Sequence, residues 1–102
     1  IVEPFVGYNY ALSFISEIEL LGAFSIPKIQ KGQFKQLIND CLIIEMNYKI
    51  KEKSIDIRNN HKIKIPDAII AATSIVYNIP LITSDKDFKK VKELNLVFLK
   101  KE

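Results

Sequence analysis

The 102-residue chain carries one cysteine, one histidine and three glycines, and each shortage removes a class of chemistry. Cys41 has no partner for an internal disulfide. Within "INDCLIIEM" it reads as a small core residue of a protein from a reducing compartment, the cytoplasm. His61, in "RNNHK", excludes paired-histidine acid/base work and reads as a loop or helix-end residue. Three glycines form no phosphate-cradling loop, and there is no G-x-S-x-G step. Long apolar runs are missing too. "AIIAATSIVY" and "CLIIEM" fall short of the roughly 18 to 20 residues that span a bilayer, so no membrane partner is expected. The opening "IVEPFVGYNY" has neither an initiating Met nor the basic-then-apolar pattern of a secretory leader.

What is present is a chain that is 48% hydrophobic, enough for a core but too short for two domains. One domain over residues 1–102 is expected. The net charge of +3 is unevenly spread: residues 49–64 carry +4, residues 86–101 another +4, and the remainder −5. A basic rim around an acidic patch suits a polyanion held over bound cations. A solvated lysine-rich surface has the same composition, so charge alone leaves both readings open.

Local patterns alternate between strand and helix. "YALSFI" (10–15) is expected as a strand, followed by a helix capped by Ser16 with Glu19 in a capping box. Beyond Pro27, "KGQFKQLIND" places Phe34, Leu37 and Ile38 at helical spacing. "CLIIEM" (41–46) reads as a strand. Asn47 caps a helix whose inner face holds Ile50, Ile57 and Tyr48. The segment "PDAIIAATSIVYN" is a helix with Ala68, Ala71 and Ala72 for close packing, stopped at Asn78. A strand at 80–84, a helix over "DKDFKKVKEL" and a last strand in "LVFLK" complete the order. Short apolar strands alternating with helices imply an α/β fold with a parallel sheet covered on both faces. The four tyrosines, Tyr8, Tyr10, Tyr48 and Tyr77, have the chemistry to stack on bases, but their spacing favours packing.

In such sheets chemistry gathers beyond the carboxyl ends of the strands. Glu17 and Glu19 follow the first strand, Asp85 and Asp87 follow the strand at 80–84, and Asp67 opens the alanine-rich helix. Residues two apart on an α-helix point about 200° apart, so one of each pair is expected to face a shared site. Each acid alone also fits a capping role; Ser84 and Asp87, for instance, match a capping box. Taken together, three strand–helix junctions each offer a carboxylate. Two carboxylates ~4 Å apart repel by about 4 kcal/mol at an effective dielectric near 20, which invites a divalent cation. Oxygen-only ligation favours Mg²⁺ or Mn²⁺ over zinc.

These segments resemble the PIN-domain nucleases, a family that includes VapC-type toxins, and the resemblance covers nearly the whole chain. "LSFISEIELLGA" is similar to the family's second strand and the helix bearing its metal-site glutamate, which maps onto Glu19. "IPDAIIAATSIVYNIPLITSDKDF" resembles its most specific segment, with the "PDA" aspartate at Asp67, the "T-x-D" aspartate at Asp85, and the "DF" pair at Asp87 and Phe88. The resemblance implies a three-layer α/β/α fold and an Mg²⁺- or Mn²⁺-dependent endoribonuclease with Glu19, Asp67 and Asp85 as catalytic metal ligands. Asp87 would support them, and Thr83 or Ser84 would orient a carboxylate or simply cap a strand end. It implies an RNA substrate, a toxin–antitoxin pairing with a small inhibitory protein, and a homodimer.

The family pattern begins with a short strand ending in an aspartate, in a D-T-N or D-S-N step, and none precedes Ile1. The resemblance puts that strand at the centre of the sheet. A truncated domain, short of about 20 residues of a βα unit, is therefore expected to lack a core strand and a fourth acid. The second functional reading is a non-catalytic PIN-fold module that binds RNA or a partner protein. A receiver-like doubly wound domain fits less well, since it needs clustered acids after the first strand and a late lysine.

Overall fold

The computed structural model describes Tyr8 and residues 10–100. The chain divides into two compact units, Ile1–Glu45 and Met46–Glu102.

In the first unit, β1 (Tyr10–Ser13) leads directly into α1 (Phe14–Leu21), and α2 (Lys28–Asn39) leads into β2 (Cys41–Ile44). The strands pair in parallel from Tyr10↔Cys41 to Ser13↔Ile44. Both strands end two residues earlier than their sequence suggests. The first stops because Ser13, not Ser16, caps α1: its buried hydroxyl accepts a hydrogen bond from the Ile15 N–H at 3.2 Å. Ser16 lies inside the first turn, so the expected Ser16–Glu19 capping box does not form. Gly22 closes α1 by donating its N–H to the Ile18 carbonyl at 2.7 Å; a Cβ there would stand 2.6 Å from that oxygen, which only glycine avoids. Helix α2 starts at once after Pro27, whose fixed φ suits the position, and buries Ile38. Phe34 is half-buried and Leu37 is exposed. Cys41 is half-buried, with its thiol on the Leu37 carbonyl at 3.5 Å.

In the second unit, α3 (Tyr48–Asn60) packs against α4 (Ile65–Tyr77). Asn47 caps α3 as expected, accepting from the Ile50 N–H at 2.9 Å. Ile50, Ser54 and Ile57 recur at i, i+4 and i+7, so one face is buried; the Ser54 hydroxyl is satisfied by the Ile50 carbonyl at 2.7 Å. Burying Ile50 and Ile57 stabilises the unit by about 1.5–3 kcal/mol each. Tyr48 is not part of that face. It is 69% exposed, with the Lys51 ammonium 5.3 Å from its ring. On α4, Ala68, Ala71 and Ala72 have no exposed surface, and their small side chains allow the helix to pack closely. Asn78 takes the left-handed conformation (φ 54°), and with Ile79 it satisfies the last carbonyls of α4.

After α4 come β3 (Leu81–Thr83), a 3₁₀ turn (Lys86–Lys90) and β4 (Leu96–Phe98), the strands parallel in register Leu81↔Leu96 to Thr83↔Phe98. The expected α-helix over "DKDFKKVKEL" is instead a chain of i→i−3 bonds: Phe88 to Asp85, Val91 to Phe88, Leu94 to Val91. Phe88, Val91 and Leu94 are all buried, and their spacing of three matches the three residues per turn of that geometry.

The parallel α/β class read from the sequence holds. Among the described residues the strands form two parallel pairs, one in each unit. Tyr10 on β1, Ile82 on β3 and Val97 on β4 are exposed. Among the described residues no helix is long and apolar enough to cross a membrane.

Candidate metal centre

Asp67 enters the site from the first turn of α4. Pro66 occupies the opening of that helix, where its missing N–H is harmless, and Asp67 lies where the positive end of the helix dipole favours an anion. Asp85 and Asp87 enter from the loop after β3. Thr83 accepts a hydrogen bond from the Asp85 N–H on its hydroxyl at 3.1 Å, and the Asp85 carboxylate accepts one from the Asp87 N–H at 2.9 Å. Asp85, and not Ser84, therefore caps the 3₁₀ turn. Ser84 is half-buried between the two.

Carboxylate oxygens of Asp67, Asp85 and Asp87 all lie within 4.8 Å of one another. Asp67 is half-buried and the other two are exposed. The Asp67 carboxyl is pushed above the ordinary aspartate range, first by burial, which penalises the charged form, and then by the negative charges of Asp85 and Asp87; Lys64 and Lys90 partly offset this. Lys90 lies 3.9 Å from Asp87 and donates to the Lys62 carbonyl at 3.0 Å, tying the turn to the α3–α4 connection.

Asp67 and Asp85 come together as their flanking motifs imply. Asp87, expected in support, offers its carboxylate to the same group. Asp85 caps and Asp87 lies within a 3₁₀ turn, so the roughly 200° separation expected of residues two apart on an α-helix does not hold for them. The i, i+3 spacing of Asp87 and Lys90 was the available signal for the flanking cation. Glu19 is an exposed residue of α1 in the first unit, whereas the three-aspartate group is built wholly within the second. His61 follows the end of α3 and is half-buried, in keeping with its helix-end reading.

Chemically the donor set fits a hard divalent cation: oxygen atoms only, three anionic side chains at close quarters, and one of them strained in its charged form by burial and repulsion.

A family model described as PIN domain matches residues 6–94. Among solved structures, a chain in a toxin–antitoxin complex from Klebsiella pneumoniae is 32% identical, with 85% of this chain and 71% of that chain covered and a TM-score of 0.70. VapBC-1 from nontypeable Haemophilus influenzae is 24% identical over 87% of this chain and 73% of that chain, with a TM-score of 0.76. VapBC2 from Rickettsia felis, solved with a DNA fragment from the promoter, is 24% identical over 87% and 74%, with a TM-score of 0.77. Comparison with curated proteins gives no match. A family model spanning most of the chain, around a carboxylate group formed by the "PDA" and "TSDKDF" steps, makes the chain a member of the PIN domain family of nucleases.

Proposed function

We propose that this protein is a divalent-metal-dependent endoribonuclease, the toxin of a toxin–antitoxin pair, working in the cytoplasm as one PIN domain over residues 1–102. The observation that carries the reading is the Asp67, Asp85 and Asp87 carboxylate group in a PIN-family chain. Asp67 and Asp85, with Glu19, would hold Mg²⁺ or Mn²⁺. A cation held there would supply positive charge against the scissile phosphate and a water of lowered pKa for in-line attack.

The chain's own residues supply position and charge balance. Thr83 accepts from the Asp85 N–H, Asp85 accepts from the Asp87 N–H, and Ser84 lies between Thr83 and Asp85, so local bonds of the turn place its two carboxylates. Lys64 and Lys90 moderate the negative field that would otherwise repel a polyanion. An antitoxin partner is supported by the toxin–antitoxin complex among the solved relatives. Exposed Phe24, Ile29 and Leu37 in the first unit supply apolar surface for that protein or for a second copy in a homodimer.

The test is cleavage of single-stranded RNA by the full-length protein. Mg²⁺ or Mn²⁺ should support cleavage, and EDTA or Asp67→Asn should stop it. Unchanged cleavage by Asp67→Asn would sink the assignment of this site.

A further inference from the structure

Beside the carboxylates runs an open groove of about 550 Å³, lined by Arg58, His61, Lys62, Lys64, Lys90 and Asp87. We propose that this groove is the track that holds the backbone of an RNA strand next to the phosphate being cut. The inference rests on the nuclease reading above and adds to it the path of the substrate.

Four permanent cations face a single carboxylate in this groove, and that carboxylate, Asp87, belongs to the metal-site group. The shared wall matters because three clustered carboxylates repel a polyanion. A strand that reaches them must be held by positive charge close by. The cations are also placed by the fold. Arg58 donates its Nε–H to the Ile63 carbonyl at 3.1 Å, over a buried Ile63, which leaves the terminal N–H groups of the exposed guanidinium for phosphate oxygens. Lys90 is steadied by the Lys62 carbonyl at 3.0 Å. A second groove, of about 330 Å³, is lined by Lys28, Lys31 and Lys35 on the first unit, where none of the three aspartates lies. It has equal lysine charge without the shared wall, which makes it the natural control.

The experiment measures binding of a fluorescein-labelled single-stranded RNA by anisotropy, in EDTA so that no cleavage occurs, across a salt series. Lys62→Gln/Lys64→Gln/Lys90→Gln in the full-length protein should bind about tenfold to hundredfold more weakly at about 50 mM salt, with a log–log salt slope shallower by about 2, as expected for three lost phosphate contacts at about 0.7 each. Lys28→Gln/Lys31→Gln/Lys35→Gln should bind like the parent. Replacing the same three groove lysines by arginine should preserve binding, and unchanged circular dichroism and Tm in the glutamine variant separate lost contacts from lost fold.

Equal weakening by both glutamine variants, unchanged binding in the groove variant, or loss of antitoxin binding alone would overturn the proposal. Groove-dependent binding by a protein that never cleaves RNA would overturn the nuclease reading and leave the track standing. Normal Mg²⁺-dependent cleavage with groove-independent binding would do the reverse.

Discussion

The Asp85 carboxylate accepts the backbone N–H of Asp87 at 2.9 Å, so one residue both closes the turn after β3 and brings the next acid to its own side. Local capping and site assembly are here the same interaction. An acid that looks like a helix cap and an acid that looks like a ligand need not be competing descriptions.

Replacing Asp67 separates these roles. Its raised pKa means that the folded chain takes up a proton there more readily than the unfolded chain does, so the ionised form opposes folding at neutral pH. Asp67→Asn without metal should be as stable as the parent or more stable, by up to about 1 kcal/mol. Any rise in Tm that Mg²⁺ or Mn²⁺ gives the parent should disappear, because a cation that binds only the folded state stabilises it in proportion to its affinity. Thermal scans with and without metal check both halves.

Asp85 should respond to substitution in two grades. Asp85→Ala loses the acceptor for the Asp87 N–H and should cost about 1 kcal/mol in urea denaturation. Asp85→Asn keeps an oxygen in that place and should retain most of this stability, yet lose metal binding with the charge. Two variants that are equally unstable would mean that the capping bond contributes little.

Lys53 gives the second unit an alkaline limit. Its Nζ contacts Glu93 at 2.6 Å and Asp56 at 3.2 Å, and its pKa is raised above the ordinary 10.5, chiefly by the hydrogen bond to Glu93. A raised lysine stabilises fully below its unfolded value, and the contribution is lost as pH rises through the folded one. Both acids are half-exposed, so solvent screening keeps the effect small. The urea midpoint of the parent should fall more than that of Lys53→Met between about pH 10 and 12. Parallel curves would remove the ion pair from the account.

The packed pair of α3 and α4 should be the least forgiving part of the second unit. Ile57 is 1% exposed and Ala71 is fully buried. Ile57→Ala should destabilise by about 2–5 kcal/mol through the cavity it leaves, and Ala71→Leu by about 1–3 kcal/mol through overpacking. Denaturation midpoints at constant m-value measure both.

These elements also mark where the sequence was readable. Asn47, Asn78 and the buried Ile50 and Ile57 of α3 were legible because caps and helical period depend on neighbours within one or two turns, whereas Tyr48, expected on the same face, is exposed. The aspartates in "PDA" and "TSD" were legible as candidates for the same reason. The 3₁₀ turn at Lys86–Lys90 was missed by reading "DKDFKKVKEL" with a period of 3.6, although the threefold spacing of Phe88, Val91 and Leu94 stood in the sequence. Ser13 and Ser16 are both competent caps, and nothing local decides between them; the strand pairing that ends at Ser13 does. The division of four strands into two pairs is likewise non-local, set by which strands find hydrogen-bonding partners and not by any short pattern.

The most direct measurement is the rate of single-stranded RNA cleavage against Mn²⁺ concentration for the full-length protein and its Asp85→Asn variant, side by side. The parent rate should rise and saturate with Mn²⁺, while the variant stays at background at every concentration. Two superimposable saturation curves would contradict the claim that the aspartate group of this fold holds the catalytic cation.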